Sequence, residues 1–394
     1  MKKSNSHSFI SFRKSWEISS DSWFLLGQCK ALIRAISGTP LMPTYRKKIY
    51  SVSLVKGAMA TTAIEGNTLT EEEIQLILEG NSSIPPSKEY MEIEVKNILD
   101  ALNVLSRKLL IEGESQIITP ELIREFHSMI GKNLGEHFQA VPGQFRKNNV
   151  TVGNVYRAPD SSEIPELMKN FCEWSRKEFH YQQGQNFSTA IIQAIVSHVY
   201  IAWIHPFGDG NGRTARLLEF YLLLRAGVPD IASHILSNFY NNTRAEYFRK
   251  LAETSKLNGN LTNFINYALQ GFKDGLQEVF NLVNQNQLEL AWRNYVNERF
   301  RTSSLSVNKI VSERQLSLAL SMKIGQEYSL PEILEINDSI RIQYSNKSKR
   351  TLSRDIDSLL SMEVIQKLPN EKYLANSNVL IVNMPASVKD KTIL

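Results

Sequence analysis

Apolar positions recur at helical spacing along most of this 394-residue chain, and the pattern predicts a mainly α-helical fold. In the N-terminal part we expect helices over residues 21–32, 47–65, 70–78 and 92–110. The second helix should end at Gly66-Asn67, and Thr70 with Glu73 predicts a capping box at the start of the third. Residues 80–87 are rich in serine and proline and are predicted to form a loop.

The central part continues the helical pattern and contains one β signal. Thr119 followed by Pro120 predicts the start of a helix that runs to about residue 134. The residues from Val150 to Tyr156 alternate around a Gly-Asn pair, which predicts a β-hairpin. Further helices are predicted over 165–179, 187–204, 244–256 and 261–297.

The composition changes near residue 300, where residues 301–304 are predicted to form a linker. Beyond it we expect three helices and then two strands joined at Pro369-Asn370, an order typical of a winged helix-turn-helix domain. The predicted helices span 307–322, 330–337 and 349–361, and the strands lie near 364–366 and 373–374. The expected regions are an N-terminal helical region over 1–115, a core over 116–275, a connecting helix over 276–300 and a winged-helix domain over 301–394.

Composition adds few constraints to this picture. The apolar share of 42%, the charged share of 22% and the net charge of +5 are ordinary for a globular protein and do not by themselves indicate nucleic-acid binding. We expect no membrane partner, because no stretch approaches the roughly 18 apolar residues of a membrane span, and no signal peptide. Cys29 and Cys172 lie far apart, so we expect neither a disulfide nor a zinc cluster, and a cytoplasmic location fits best.

The most informative chemistry lies between two predicted helices, in the run HPFGDGNGRTAR from His205 to Arg216. His205 ends a helix and can act as a general base, although a lone buried histidine is more often structural. Asp209 can ligate Mg²⁺ together with phosphate oxygens, or cap the following helix. The glycines at 210 and 212 permit the close backbone approach by which a helix N-terminus binds an anion.

Two arginines complete this run. Arg213 and Arg216 are three residues apart, so both lie near one face of the first helical turn, and no acidic residue shares that turn. Guanidinium groups bind phosphates in bidentate geometry. Together with a general base and a metal ligand, they indicate a site for a nucleoside triphosphate. Phe207 is expected to anchor the loop in the core, and His198 is expected to be structural.

The run resembles the Fic family signature, His-Pro-Phe-x-Asp/Glu-Gly-Asn-Gly-Arg-x-x-Arg, at every defined position. The resemblance covers roughly residues 15–275, and residues 118–127 are similar to the family's early helix. It implies a Fic-type helical bundle that transfers AMP from ATP to a Ser, Thr or Tyr hydroxyl of a target protein or of itself, with release of pyrophosphate. Members that transfer other groups usually alter the Gly-Asn-Gly-Arg segment, which is intact here.

Carried over to this sequence, the resemblance implies a role for each residue of the run. His205 would be the catalytic base and Asp209 the Mg²⁺ ligand. Tyr247 resembles the first member of a tyrosine pair that lines the adenine pocket, whereas Phe248 replaces the second, and core packing is the alternative for both. The residues implied to bind the nucleotide are Gly210, Asn211, Gly212, Arg213, Thr214, Ala215, Arg216 and Tyr247.

Two further segments resemble parts of the family. The segment 61–67 is similar to the inhibitory motif Ser/Thr-x-x-x-Glu-Gly/Asn, which implies that Glu65 pairs with Arg216 in place of the γ-phosphate. Thr61, four residues earlier on the same helical face, would steady the carboxylate. The hairpin resembles the flap that pairs with the backbone of a target protein. Its docking residues would be Val152, Gly153, Asn154 and Val155. A solvated glutamate and a plain surface hairpin are the alternatives.

The C-terminal region carries a cluster of basic residues that can contact DNA phosphates. The cluster comprises Arg341, Lys347, Lys349, Arg350 and Arg354. The acidic residues Asp355 and Asp357 follow at once and weaken the case, and winged helices also serve as protein-interaction or homodimer modules.

The sequence therefore leaves three hypotheses for the function. The first is an autoinhibited protein adenylyltransferase. The second is an enzyme of the same fold that removes AMP from modified proteins, with Glu65 positioning water. The third is a DNA-binding regulator with a degenerate Fic domain, against which the intact His205, Asp209 and both arginines argue.

Overall fold

A computed structural model of the chain describes residues 7–153, 156–180, 186–302 and 308–382. Helices dominate it, as predicted, and the strands form only two short hairpins in the described ranges. The chain divides into two compact units, Met1–Asn281 and Leu282–Leu394. The regional boundaries expected near residues 115, 275 and 300 stay predictions.

The first unit consists of helices and one hairpin. Its helices are α1 Ser20–Gly38, α2 Pro43–Ala63, α3 Glu71–Leu78, α4 Glu89–Leu110, α5 Pro120–Ile130, α6 Ile164–Glu178, α7 Asn186–Ile204, α8 Asn211–Arg225, α9 Ile235–Asn242 and α10 Arg244–Lys256. Helix α11, Thr262–Thr302, begins in this unit and continues into the second. The linker predicted over 301–304 is therefore wrong at its start, because Arg301 and Thr302 are helical.

Local side-chain chemistry sets the helix ends near residue 66. Helix α2 stops where Gly66 takes a φ of 105°, a left-handed conformation that costs glycine little. The N–H of Asn67 then donates to the carbonyl of Thr62 at 3.2 Å. The next helix begins with the predicted capping box, in which Thr70 and Glu73 each accept the other's backbone N–H. Both features confirm the sequence prediction.

Helices α7 and α8 form the centre of the first unit. Helix α7 is buried on nearly every side, and its residues pack against α6 and α8. Contrary to the sequence expectation, this described helix is long and apolar enough to span a membrane by length and composition. However, 78% of its most apolar window is buried inside the protein, as is typical of a core helix.

The predicted hairpin is present as β1, Thr151–Val152, and β2, Tyr156–Arg157, which pair antiparallel with Val152 opposite Tyr156. The hydroxyl of Tyr156 donates to the carbonyl of Trp203 at 2.5 Å and so attaches the hairpin to the last turn of α7. Val152 and Gly153 are exposed. Asn154 and Val155, the other predicted docking residues, lie outside the described residues.

The second unit contains short helices and a two-stranded antiparallel sheet around its own apolar core. Its elements are the end of α11, α12 Lys309–Ser321, α13 Leu330–Leu334, α14 Asp338–Tyr344, α15 Lys349–Ser361, β3 Ile365–Lys367, β4 Tyr373–Ala375 and α16 Asn378–Val382. Leu318, Ile356 and Leu359 are among the buried core residues. The predicted helices and strands are present, whereas α14 was not predicted, and the winged-helix assignment stays a prediction.

Candidate active site

The loop between α7 and α8 is held in a fixed shape by its own residues. Gly210, the N-cap of α8, takes a left-handed conformation with a φ of 75°. Asn211 closes the loop with two hydrogen bonds to Phe207, accepting from its N–H and donating to its carbonyl, each at 2.9 Å. Phe207 itself is fully buried, as predicted for an anchoring residue. The side chain of Asn211 therefore stabilises the loop, and both its oxygen and its nitrogen are hydrogen-bonded to Phe207.

His205 begins this loop with a φ of 49°, an uncommon value for a residue with a side chain. Burial lowers the pKa of its imidazole to about 4, even though the nearby charges of Glu65 and Asp209 raise it. The ring is therefore neutral at physiological pH. A neutral imidazole can accept a proton, as the predicted role of general base requires.

Arg146, which the sequence did not single out, fixes the backbone around His205. Its guanidinium donates to the carbonyls of His205 at 2.8 Å, Asn148 at 2.9 Å and Pro159 at 2.6 Å. Its backbone N–H donates to the carbonyl of Pro206 at 2.9 Å. This buried arginine therefore joins the His205 loop to the segments that flank the hairpin. No local pattern marks it, since its partners are backbone atoms of distant segments.

One carboxylate oxygen of Asp209 accepts two hydrogen bonds, and the other accepts a single long one. Its Oδ1 accepts from the N–H of Gly210 at 2.5 Å and from Arg213 at 3.0 Å, whereas Oδ2 accepts only a long 3.3 Å bond from the N–H of Gln139. Within the described part of the chain, no three acidic, histidine or cysteine residues cluster to hold a metal ion. One available carboxylate oxygen suits Mg²⁺, which typically binds few carboxylates together with substrate phosphates.

A buried histidine on α5 forms a hydrogen bond to the backbone of Asp209. Nδ1 of His127 accepts a hydrogen bond from the N–H of Gly143 at 2.9 Å, so the neutral ring carries its proton on Nε2. Nε2 then donates a hydrogen bond to the carbonyl of Asp209 at 3.0 Å. Its ring stacks on Phe207 with centroids 3.7 Å apart. Burial lowers the pKa of His127 to about 4, which keeps this arrangement neutral.

The first turn of α8 presents backbone N–H groups, which have no partner within a helix at this position. A Cβ atom at Gly212 would meet the Glu65 carboxylate and would lie 3.1 Å from Arg216. The side chains of Thr214 and Ala215 are fully buried, and the Thr214 hydroxyl donates to the carbonyl of Gly210 at 2.8 Å. Any contact of these two residues with a nucleotide is therefore limited to the backbone.

Arg213 has two acidic partners, and, as the sequence indicated, neither lies in its own helical turn. Its guanidinium bonds Glu94 of α4 and, at 3.0 Å, Asp209. It also lies over the ring of Phe138, 5.4 Å from the centroid. Glu94 in turn accepts from the side-chain amide of Asn67 at 3.0 Å. Sequence reasoning missed Glu94 because its partner is 119 residues away.

Arg216 is 1% exposed, and its bonds reach the end of α2. Its Nη2 donates to Oε1 of Glu65 at 2.5 Å and to the carbonyl of Thr61 at 3.0 Å, while its Nε donates to the Thr61 hydroxyl at 3.1 Å. Burial raises the pKa of Glu65, but the charge and hydrogen bond of Arg216 outweigh it and hold that pKa below its ordinary value. The expected pairing is thus present, but Thr61 supports Arg216 and not the carboxylate as predicted.

Two contacts from other helices hold the end of α2 that carries Glu65. Arg244 of α10 donates to the carbonyl of Ile64 at 2.8 Å. Asn67 donates to the carbonyl of Met91 on α4 at 3.0 Å. A cation at a helix C-terminus stabilises carbonyl groups that lack partners in the helix. Glu65 therefore contacts Arg216 from a segment that is hydrogen-bonded to other helices before Glu65, at Ile64, and after it, at Asn67.

Tyr247, predicted to line the adenine pocket, lies in the buried interior at 3% exposure. Its hydroxyl is 2.9 Å from Nε2 of His198. Phe248 is exposed, and the guanidinium of Arg244 lies 5.8 Å from the centre of its ring. The adenine role of Tyr247 stays a prediction.

Comparison with known proteins agrees with this geometry. Residues 117–223, which include the whole run from His205 to Arg216, match the Fic/DOC family. Protein adenylyltransferase fic-1 of Caenorhabditis elegans is 31% identical over 222 residues, which cover 55% of this chain and 39% of that protein. Protein adenylyltransferase Fic of Nematostella vectensis is 30% identical over 207 residues, 52% of this chain and 44% of that protein. The chain thus spans less than half the length of these curated relatives.

Solved structures show the same fold. A Fic family protein from Desulfovibrio desulfuricans G20 superposes with a TM-score of 0.55 at 18% identity and covers 92% of this chain and 98% of its own. Residues 134–508 of Fic-1 from C. elegans superpose with a TM-score of 0.53 at 24% identity, over 67% of this chain and 74% of that one. Residues 117–223 of this chain therefore match the Fic/DOC family, and the chain shares the fold of these solved Fic proteins.

Proposed function

We propose that this chain is an autoinhibited protein adenylyltransferase, which transfers AMP from ATP to a Ser, Thr or Tyr hydroxyl of a target protein and of itself. The observation that carries the proposal is the 2.5 Å hydrogen bond between Glu65 and Arg216, within a site that also contains a neutral His205 and an available Asp209 oxygen. The names of the curated relatives agree with this reaction.

In the proposed reaction, the target hydroxyl oxygen attacks the α-phosphorus of ATP. The new P–O bond replaces the bond to the β-phosphate, pyrophosphate leaves, and His205 accepts the proton of the hydroxyl. The backbone N–H groups at the start of α8 and the arginines at 213 and 216 hold the phosphates. Bound through Asp209, Mg²⁺ would neutralise phosphate charge.

Inhibition follows from competition for Arg216. The carboxylate of Glu65 lies against Gly212 and bonds Arg216, so it occupies donors that a γ-phosphate would use. A triphosphate bound beside it would have its α-phosphate displaced from the line of attack, and in-line geometry dominates the rate of such a transfer. Release of Glu65 would open the site.

The experiment that tests this function compares ATP labelled at the α-phosphate with ATP labelled at the γ-phosphate. We expect the Glu65→Gly variant to incorporate the α label into protein but not the γ label, and the Glu65→Gly/His205→Ala double variant to incorporate neither. Incorporation of the γ label would indicate a kinase and would refute AMP transfer. The absence of α label in the Glu65→Gly variant with lysate proteins present would refute it as well.

Removal of AMP is the alternative reaction at the same site, with Glu65 positioning a water molecule. Proteins labelled by the Glu65→Gly variant provide the substrate for this test. After the variant is removed, they are incubated with wild-type chain, and AMP release is followed by chromatography. Release that requires both Glu65 and His205 would favour hydrolysis, whereas stable label would favour transfer alone.

We also propose that the second unit binds DNA phosphates through the start of α15. Of the two acidic residues that weakened this hypothesis, Asp355 is buried, whereas Asp357 is exposed. Asp355 is 2% exposed and accepts from Arg314 at 2.8 Å, from Gln315 at 2.9 Å and from Tyr344 at 2.9 Å. The exposed surface near the start of α15 is therefore mainly basic, and the exposed Asp357 follows Arg354 by three residues. This surface carries Lys347, Lys349, Arg350 and Arg354.

Binding of the full chain to a fluorescent DNA duplex tests this second proposal. We expect binding at low salt that weakens steeply as salt rises, because cations released from the phosphates drive it. Arg350→Ala should weaken binding, whereas Arg341→Ala, which removes a side chain already paired with Asp338, should change it less. No binding at low salt, or equal effects of both variants, would refute the proposal.

A further inference from the structure

The N-terminal segment, residues 7–17, packs against the hairpin and against the end of α7, and it has no part in the proposed reaction. Phe9 is 8% exposed, and the centre of its ring lies 5.2 Å from that of Trp203 on α7. The ring of Tyr156 in β2 lies 6.3 Å from the ring of Phe9 and 6.3 Å from that of His7. Two aromatic side chains of the N-terminal segment therefore contact the hairpin through Tyr156.

The N-terminal segment is also fixed to the turn before α11. Gly259 in that turn takes a φ of 83°, and a Cβ atom there would lie 2.7 Å from the carbonyl oxygen of Phe9, so glycine permits this close approach. The Ser15 hydroxyl donates to the carbonyl of Gly259 at 2.6 Å, and the N–H of Leu261 donates to the carbonyl of Ser15 at 2.9 Å. The segment is therefore held in place by contacts that do not involve the hairpin.

His7 lies at the outer edge of β2. Opposite residues in an antiparallel hairpin alternate between pairs that exchange hydrogen bonds and pairs whose backbone groups point outward. The N–H of Ala158 donates to the carbonyl of Val150 at 3.2 Å, so these two residues form a pair of the first kind. The next pair, Thr151 opposite Arg157, is of the second kind. Nε2 of His7 lies 2.7 Å from the outward carbonyl of Arg157 and donates to it, since a carbonyl only accepts.

The hairpin needs support from outside because it is small. Each strand has two residues, and a hairpin of two strands is at best marginally stable by itself. Thr151, Val152 and Arg157 are exposed, whereas Tyr156 is partly buried. The hydroxyl of Tyr156 bonds the carbonyl of Trp203 and fixes one point of the hairpin. The N-terminal segment supplies further contacts on the β2 side.

We propose that the N-terminal segment positions the hairpin and occupies the edge of β2, so that the backbone of a target protein pairs with the outer edge of β1. His7 bonds the outward carbonyl of Arg157, whereas the outward N–H and carbonyl of Thr151 lie on an exposed strand. An extended peptide adds to a sheet through outward groups of this kind. The inference rests on the proposed function in assigning a target protein to the hairpin.

Hydrogen exchange of the hairpin amides, followed by mass spectrometry, tests the positioning without any activity. Phe9→Leu keeps an apolar side chain but removes the ring contact with Tyr156, and His7→Ala removes the bond to Arg157. We expect the hairpin amides to exchange about fivefold faster in each variant, as the loss of one hydrogen bond allows. His7→Gln should restore most of the protection, because its amide can donate to the same carbonyl.

Phe12→Leu is the matched control for Phe9→Leu. Phe12 belongs to the same segment, but its ring stacks on Tyr200 of α7, with centroids 5.8 Å apart. Its substitution should leave exchange in the hairpin at the wild-type rate. Unchanged exchange in Phe9→Leu or in His7→Ala, or an equal increase in Phe12→Leu, would overturn the positioning role.

Two proline substitutions in the Glu65→Gly background test which edge receives the target. Thr151→Pro and Arg157→Pro each remove one outward N–H that the hairpin does not use, and proline is tolerated on edge strands. Arg157→Pro also keeps the carbonyl that accepts from His7. With α-labelled ATP and a fixed amount of lysate protein, we expect Thr151→Pro to slow labelling at least about fivefold and Arg157→Pro less than about twofold.

Titration calorimetry with ATP provides the control for the nucleotide site, and both proline variants should bind ATP as the Glu65→Gly parent does. Equal losses of labelling in the two variants, or a larger loss in Arg157→Pro, would overturn the assignment of the β1 edge. If the Glu65→Gly parent labels no protein at all, the proposed function fails, and hydrogen exchange still decides whether the N-terminal segment positions the hairpin.

Discussion

Glu65 and Arg216 are 151 residues apart in sequence, and their side chains are joined by a 2.5 Å hydrogen bond. The guanidinium is almost completely buried, so its charge needs a partner at all times. Glu65 supplies that partner in this structure, and a phosphate would supply it in a complex with ATP. The two partners exclude each other because they need the same donors, which makes this pair the contact on which the proposed inhibition depends.

The hydrogen bond that fixes the end of α2 can be removed by a substitution that leaves Glu65 in place. Arg244→Ala removes the 2.8 Å bond to the carbonyl of Ile64, and Glu65 should then dissociate from Arg216 more often. We expect AMP transfer to rise between about twofold and fivefold, as the loss of one hydrogen bond of about 1 kcal/mol allows. Arg249→Ala, which removes an exposed arginine that pairs within α10, should leave the rate unchanged. An equal or lower rate for Arg244→Ala would contradict the account.

Glu94 should matter for stability because Arg213 is buried. Glu94→Gln removes one of the two carboxylates that pair with Arg213 and leaves its charge partly uncompensated. We expect the Tm to fall by about 3–6 °C, which corresponds to the loss of a partly buried ion pair. Glu112→Gln, just after the same helix, breaks a pair with Arg107 in which both side chains are exposed, and should change the Tm by less than about 1 °C. A similar Tm for both variants would show that Arg213 does not depend on Glu94.

The pH dependence of AMP transfer tests the state of His205. Because burial lowers its pKa to about 4, the ring stays neutral, and able to accept a proton, until the pH falls well below the ordinary value of about 6.5. Loss of Glu65 removes a charge that raises this pKa, so the Glu65→Gly variant should not titrate higher. We expect its kcat/KM, measured with Mg²⁺ in excess, to decline with an apparent pKa near 4. A decline with an apparent pKa near the ordinary value of about 6.5 would contradict a buried base.

His127 should make the folded state sensitive to acid. Its folded pKa of about 4 lies below the ordinary value of about 6.5, so the unfolded chain binds this proton at higher pH than the folded chain does. Stability is therefore complete above the unfolded pKa and falls toward the folded pKa, by at most about 1.4 kcal/mol per pH unit. His127→Gln should reduce the fall in Tm between neutral and mildly acidic pH.

Phe207→Leu is the matched control for that variant. It removes the same ring stacking but no titratable group, so it should retain the acid sensitivity of the wild-type chain. If His127→Gln and Phe207→Leu show equal acid sensitivity, His127 does not contribute to it.

Local features of the fold could be predicted because their causes lie within a few residues. The stop of α2 at Gly66, the capping box at Thr70 and the start of α5 after Thr119 each depend on one turn of chain. The extent of α11 could not be predicted in the same way. The polar residues at its end carry no stop signal, so the helix continues through Thr302 into the region expected to be a linker.

The candidate site also contains some features that the sequence could predict and others that it could not. The run from His205 to Arg216 carries its chemistry in twelve consecutive residues, so sequence alone indicated it. Glu94 and Arg146 bond groups that are distant in sequence, and helical spacing cannot identify such partners. Thr61 shows a related error, since spacing placed it on the face of Glu65 but did not show that Arg216 lies between them. Asp355 was misjudged despite a local signal, because it shares a helical face with Leu352 and Leu359, which are buried.

The initial rate of AMP incorporation into protein, measured by intact mass at saturating Mg-ATP, tests the central claim most directly. Three chains are compared: wild type, Glu65→Gly and Glu114→Gly, the last of which removes an exposed glutamate in the loop after α4. If Glu65 inhibits through Arg216, the Glu65→Gly rate should exceed the wild-type rate at least about tenfold, and the Glu114→Gly rate should equal it. Equal rates for wild type and Glu65→Gly would contradict the claim that this pair controls the enzyme.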